Sequence, residues 1–157
     1  MNEQQLNTII NNSFKKIGFS HKIADPVGGM GVENPFDGFS ILPGKPVYWE
    51  SKLLKGYKAF NFQLIKQHQY DNLIVIKNLL PDSYCLIFVG VFVPYKYFDL
   101  YAFDIEFIKY LREEKHKKSI LKKELYEYKR INRYAEIKKD KNGKNRKYFS
   151  QLIIVGR

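Results

Sequence analysis

The sequence predicts a single α/β domain, and three observations carry that expectation. Short apolar runs punctuated by Gly and Pro alternate with segments whose apolar residues recur at three and four positions, the patterns of strands and helices in one chain. One of these runs, YCLIFVGVFV at 84–93, is continuously apolar, as expected of a strand covered on both faces. The chain has 157 residues, 45% of them apolar, enough to bury a core and too apolar for a disordered segment.

The elements follow in order. Residues 3 to 17 space Leu6, Ile9, Ile10, Phe14 and Ile17 along one helix face, and Gly18 ends that helix. FSHKI at 19–23 is a short first strand. In DPVGGMGVENP the glycines and prolines break regular structure, so a flexible loop or arm is expected at 27–34. PFDGFSIL and VYWESKLL are strands around the turn PGKP, with Asp37 near the start of one and Glu50 near the end of the other. In an antiparallel hairpin those two places lie at the same end. Phe62, Leu64, Ile65, Leu73, Ile76 and Leu80 suit a helix across 60–80, which carries the polar cluster Gln67, His68 and Gln69. YCLIFVGVFV belongs in the middle of the sheet, and YFDLYAF is a further strand or its edge. Ile105, Ile108 and Leu111 mark a short helix, and Ile120, Leu121 and Leu125 another that Ser119 would cap. Asn142-Gly143 sits in a basic loop at 138–148, a hairpin or loop signal, before the strand-like LIIV. No internal repeat and no linker divides the chain, so 1–157 is read as one domain.

The formal net charge is +11, and it is unevenly placed. Residues 105–157 hold 17 Lys or Arg against 7 Asp or Glu, which leaves +1 for residues 1–104. Such an excess favours a polyanionic partner, because each cation that displaces a counterion from a phosphate adds salt-dependent affinity. A solvated basic helix and tail that only maintain solubility fit the same count. Cys85 is the one cysteine, so no intrachain disulfide forms, and its apolar setting marks it as a small core side chain suited to a reducing cytoplasm. The start MNEQQLNTII lacks the pattern of a secretion signal, and no apolar stretch approaches the ~20 residues of a membrane span.

Chemistry concentrates at Asp37, Glu50 and Lys52. Two carboxylates on adjacent strands, with the main-chain carbonyl of Ser51 between the second carboxylate and the lysine, make a hard-oxygen site suited to Mg²⁺, with Mn²⁺ as a substitute. Such a cation activates water and offsets charge on a phosphoryl group, and Lys52 would supply a fixed positive charge as negative charge grows. A surface ion pair between Glu50 and Lys52 is the rival reading, since residues two apart on a strand share a face. On the following helix Gln67 or Gln69 would orient water or phosphate and His68 would bind phosphate or take a proton; solvent-facing positions fit these residues as well. Glu3 is either an outer carboxylate of the metal site or an exposed acid favoured by the helix dipole. No P-loop or dinucleotide fingerprint is present, so no nucleotide cofactor is expected, and three scattered His residues give no zinc spacing. His21 and His116 are read as surface residues.

The order FDGF, VYWESK, FNFQLIKQHQYDNL, YCLIFVGVF, FDLYAFDIEFIKYL and KKSILKKELYE resembles the RecU family of Holliday junction resolvases, within the PD-(D/E)XK nuclease superfamily. The likeness runs over roughly residues 30 to 155. It implies a restriction-endonuclease-like core, a mixed central sheet flanked by helices. It also implies that Asp37 and Glu50 are metal ligands, Lys52 the catalytic lysine, and Gln69 the glutamine of the following helix. The implied activity is Mg²⁺-dependent, symmetric cutting of four-way DNA junctions by a homodimer in recombination and repair. The alternatives are a nuclease of the same superfamily acting on ordinary duplex, and a non-catalytic DNA-binding module. Lys55, Lys58, Lys117, Lys118, Arg130, Arg133, Lys144, Arg146 and Lys147 are the expected contacts to phosphate. The sequence departs from the family in its short N-terminal region, in having PFDGF where a threonine-proline-rich segment is usual, and in an arm limited to VGGMGVENP, as in a short, phage-type member.

Overall fold

The computed structural model describes residues 1–24, 33–56, 58–96 and 98–128, and by backbone alone 97, 129–131, 136–139 and 145–148. Helix α1 (Glu3–Phe14) begins with a reciprocal cap in which the Asn2 side chain accepts from Gln5 N–H and the Gln5 side chain accepts from Asn2 N–H. The chain then forms β1 (Phe19–Lys22), β2 (Gly38–Leu42) and β3 (Lys45–Lys55). A two-residue strand β4 (Phe60–Asn61) and a 3₁₀ turn at Phe62–Leu64 lead to α2 (Gln67–Leu79). Strands β5 (Tyr84–Val93) and β6 (Tyr97–Asp104) form a hairpin, followed by α3 (Ile105–Lys109), which continues into a π-helical turn at Tyr110–Glu114. The last elements are β7 (Ser119–Ile120), α4 (Lys122–Ile131), β8 (Glu136–Lys139) and β9 (Asn145–Tyr148).

The five-stranded sheet has the order β1-β2-β3-β5-β6 and is mixed: β3 runs parallel to β5, and the other pairs are antiparallel. The parallel step needs a crossover, which α2 supplies. One face is covered by α1, where Leu6, Ile10 and Phe14 meet Val47, Trp49, Leu86 and Phe88. The other face packs Phe60, Leu73, Ile87, Val89, Phe103, Ile105, Ile108 and Leu125, contributed by β4, α2, β5, β6, α3 and α4. The chain is therefore an α/β structure with a mixed sheet between helical layers, as expected.

Several expectations change in detail. YCLIFVGVFV is an interior strand buried on both faces, but β3 holds the middle place. Glu50 is mid-strand, because β5 pairs with β3 as far as Lys55. The helix foreseen across 60–80 starts only at Gln67: Phe60 and Asn61 pair with Ile120 and Ser119, and the Asn61 side chain caps the 3₁₀ turn by accepting from Gln63 N–H. That pairing also corrects Ser119, which is extended rather than a helix cap; the Glu124 side chain instead accepts from Leu121 N–H at the start of α4. In the basic loop at 138–148 the flanks pair as the β8–β9 hairpin, while 140–144 lie outside the described residues. Arg133, the LIIV segment and most of the 27–34 arm lie outside them too.

Gly38 is where the packing is tightest beside Asp37. A Cβ there would lie 2.3 Å from Trp49 Cζ2 and 2.8 Å from His21 O. Gly38→Ala is expected to destabilise the fold by about 1–3 kcal/mol, the usual cost of overpacking. Guanidinium denaturation checks this, and an unchanged midpoint would contradict it.

Candidate active site

The geometry is organised by β3. Successive residues of a strand point to opposite faces, so Trp49 and Ser51 face α1 while Glu50 and Lys52 face α2. Asp37 immediately precedes β2, whose first pair is Gly38 with Trp49, and its N–H donates to Trp49 O at 3.1 Å. The carboxylate of Asp37 turns back onto β3, where its Oδ2 accepts from Ser51 N–H at 2.8 Å and from Ser51 Oγ at 3.0 Å. Alternation puts the Ser51 carbonyl on this same edge, past the end of β2.

Glu50 is 1% exposed and Lys52 8%. The Lys52 ammonium donates to Glu50 Oε1 at 2.7 Å and to Gln69 Oε1 at 3.3 Å. The rival reading of a surface salt bridge is therefore half right: the ion pair exists, and it is buried. Glu50 Oε2 is buried and has no hydrogen-bond partner among the described residues. A buried carboxylate oxygen left this way is costly. Consistent with that, burial first and the negative charge of Asp37 second push the Glu50 carboxyl up to about 7, against the opposing pull of Lys52.

Of the residues singled out from the sequence, Asp37, Glu50, Ser51, Lys52 and Gln69 come together. Gln69 does more than face the site: its Oε1 also accepts from Lys66 N–H at 3.3 Å, so one amide ties the start of α2 to Lys52. Glu3 lies in the first turn of α1, where the dipole favours an acid, and its Oε1 accepts from Leu53 N–H at 3.4 Å, adding a little to the rise at Glu50. Gln67 and His68 engage other groups. Gln67 bonds Asp71 at 2.8 Å and accepts from Arg112 at 3.5 Å, while His68 meets Glu33 at 2.7 Å and the Asn34 carbonyl at 3.2 Å. Lys55, Lys58 and Lys118 are exposed, whereas Lys117 is paired with Glu124. The side chains of Arg130, Lys144, Arg146 and Lys147 lie outside the described residues.

Asn7 is a residue that sequence reasoning missed. It is 7% exposed, and its Oδ1 accepts from the Ser51 hydroxyl that also reaches Asp37. The signal was present, since Asn7 shares helical spacing with Ile10 and Phe14 and so places an amide on the buried face of α1.

Among the described residues no group of three or more His, Cys, Asp or Glu side chains is arranged to hold a metal ion. The donor set is two carboxylates with main-chain oxygen, which fits a hard cation that keeps several waters. The unpartnered Glu50 Oε2, pointing to an unmet demand for positive charge beside Asp37, fits it too. Compared with known proteins, the sequence matches no family model and no curated protein.

The Glu50 carboxyl predicts a pH dependence. The unfolded chain takes up this proton near 4.5 and the folded chain near 7. Its contribution to stability is therefore full below pH 4.5 and lost as pH rises through 7, a change of roughly 3 kcal/mol. Mg²⁺ is expected to raise the thermal midpoint at pH 8 and to have little effect at pH 5, measured by thermal denaturation in EDTA and in Mg²⁺. An equal response at both pH values would contradict this.

Proposed function

We propose that the chain is a Mg²⁺-dependent endodeoxyribonuclease that acts on branched DNA, with four-way junctions as its substrate and a homodimer as its working form. The observation that carries this reading is the buried Glu50–Lys52 pair with Asp37 across the strand end and one carboxylate oxygen unmet. A bound divalent cation would activate water and neutralise charge on the phosphate. Asp37, Glu50 and the Ser51 carbonyl would hold it. Lys52, aimed by its hydrogen bonds to Glu50 and Gln69, would offer a fixed positive charge to the scissile phosphate. Ser51 holds Asp37 through both its N–H and its hydroxyl, which limits the carboxylate to one orientation.

The choice of branched DNA rests on the likeness to the RecU family and on the carboxy-terminal charge. A junction presents two related strands to cut, and a two-fold dimer sets one site at each. Cations on the surface would bind phosphates without reading bases, so shape directs the cut. No described helix is long and apolar enough to cross a membrane, and the single buried Cys85 suits work in the reducing cytoplasm.

Purified protein with a synthetic four-way junction and Mg²⁺ is expected to give paired symmetric nicks, mapped on denaturing gels. Asp37→Asn and Lys52→Ala should each lower the rate by at least about 10²-fold, the scale of losing one charge-stabilising group. Equal cutting of linear duplex would favour a nuclease for ordinary DNA, and binding without metal-dependent turnover a non-catalytic module. Unchanged nicking by Asp37→Asn would sink the site assignment.

A further inference from the structure

The β5–β6 hairpin carries a residue that its own turn does not favour. Lys96 N–H donates to Val93 O at 3.2 Å, closing a turn with Pro94 second and Tyr95 third. Tyr95 has φ +59°, and Pro followed by a positive-φ residue is the type II pattern, whose third position suits Gly or Asn. A bulky aromatic side chain there is strained. Among the described residues no packing compensates it: Tyr95 is 108% exposed, more than any other large apolar side chain there. A tyrosine that costs stability and fills no core has its use outside the fold.

Its neighbours indicate what it meets. Lys96 is exposed beside it. Because β3 and β5 are parallel and Lys55 pairs with Phe92, the end of β3 arrives at the same place, and Gly56 N–H donates to Phe92 O at 2.9 Å to hold it there. Lys55 and Lys58 are exposed on that segment. Along β3, β5 and β6 the carboxylate nearest in register to the turn is Asp99, opposite Val91 and two pairs back. Exposed aromatic and cationic side chains interleaved in this way suit a nucleic-acid strand, with the ring offered to a base and the ammonium groups to phosphates. Lys52 pairs with Val89, four residues before the turn begins after Val93. That is about 13 Å at ~3.3 Å per residue, or about four base-pair steps at ~3.4 Å each.

We propose that the Tyr95 tip is a base-stacking contact for an unpaired base of DNA, with Lys55, Lys58 and Lys96 on the adjoining phosphates. The proposal deepens the nuclease reading and rests on it for DNA as the partner, but it concerns binding and is separable from cleavage.

The test is fluorescence anisotropy in EDTA, so that no cutting intervenes, with a labelled forked duplex bearing single-stranded arms and a labelled blunt duplex. Tyr95→Asn is expected to weaken binding of the forked DNA by about 5- to 150-fold, the range for losing one stacked base, and binding of the blunt duplex by less than about twofold. Tyr95→Phe keeps the ring and should bind as the parent does. Because Asn tolerates a positive φ, Tyr95→Asn should melt at or above the parental temperature, so weaker binding does not reflect unfolding. Unchanged binding of forked DNA by Tyr95→Asn overturns the proposal and leaves the nuclease reading in place. Loss confined to binding of phosphatidylserine vesicles overturns it in favour of a membrane contact. Failure of the parent to bind either DNA overturns it as well, whereas the nuclease reading is judged by junction cutting in Mg²⁺.

Discussion

Much of the structure depends on the position of β3, covered on both faces yet carrying Glu50, Ser51 and Lys52 in succession. Two helical layers require apolar side chains on both sides of a central strand, and three polar residues in a row oppose that requirement. The conflict is met by partners drawn from elsewhere in the chain. Asn7 of α1 and Asp37 before β2 take the Ser51 hydroxyl, and Gln69 of α2 joins Glu50 on Lys52. What remains unmet is one oxygen of Glu50, at the point where Asp37 adds a second negative charge.

The hydrogen bonds of these residues form two chains, one on each face of β3. On the α1 side the Asn7–Ser51–Asp37 chain of hydrogen bonds fixes a carboxylate. On the α2 side the Glu50–Lys52–Gln69 chain presents a buried ammonium and holds the start of the helix through Lys66 N–H. A buried ion pair is poor evidence for stability, since desolvation of both charges offsets their attraction. Its value here is placement: the lysine has one direction in which its head is satisfied.

The local pieces were legible because they depend on short-range rules. The four-residue spacing of Leu6, Ile10 and Phe14, the continuous apolar run at 84–93, and the turn between Leu42 and Lys45 all act within a few residues, and all appear in the structure. The convergence of Asp37 with Glu50 was legible for a similar reason, since a tight antiparallel hairpin dictates its own register. Ser119 and the 60–66 segment were misread because their conformation is set by pairing between β4 and β7, nearly sixty residues apart, which no local propensity announces. Gln67 and His68 were adjacent to the useful Gln69 in sequence, but a helix turns each residue about 100° from the last, so only one of the three faces β3.

Sequence alone determined the α/β class, the hairpin that opposes Asp37 to Glu50, the sharing of one strand face by Glu50 and Lys52, and the carboxy-terminal excess of positive charge. Periodicity, turn chemistry and composition are local properties, and they survive without knowledge of neighbours. Tertiary structure decided whether that face was solvent or interior, which amide met the lysine, that Asn7 belonged to the site, and that one carboxylate oxygen was left over. Those are facts of desolvation, which depends on what the rest of the chain brings to each surface.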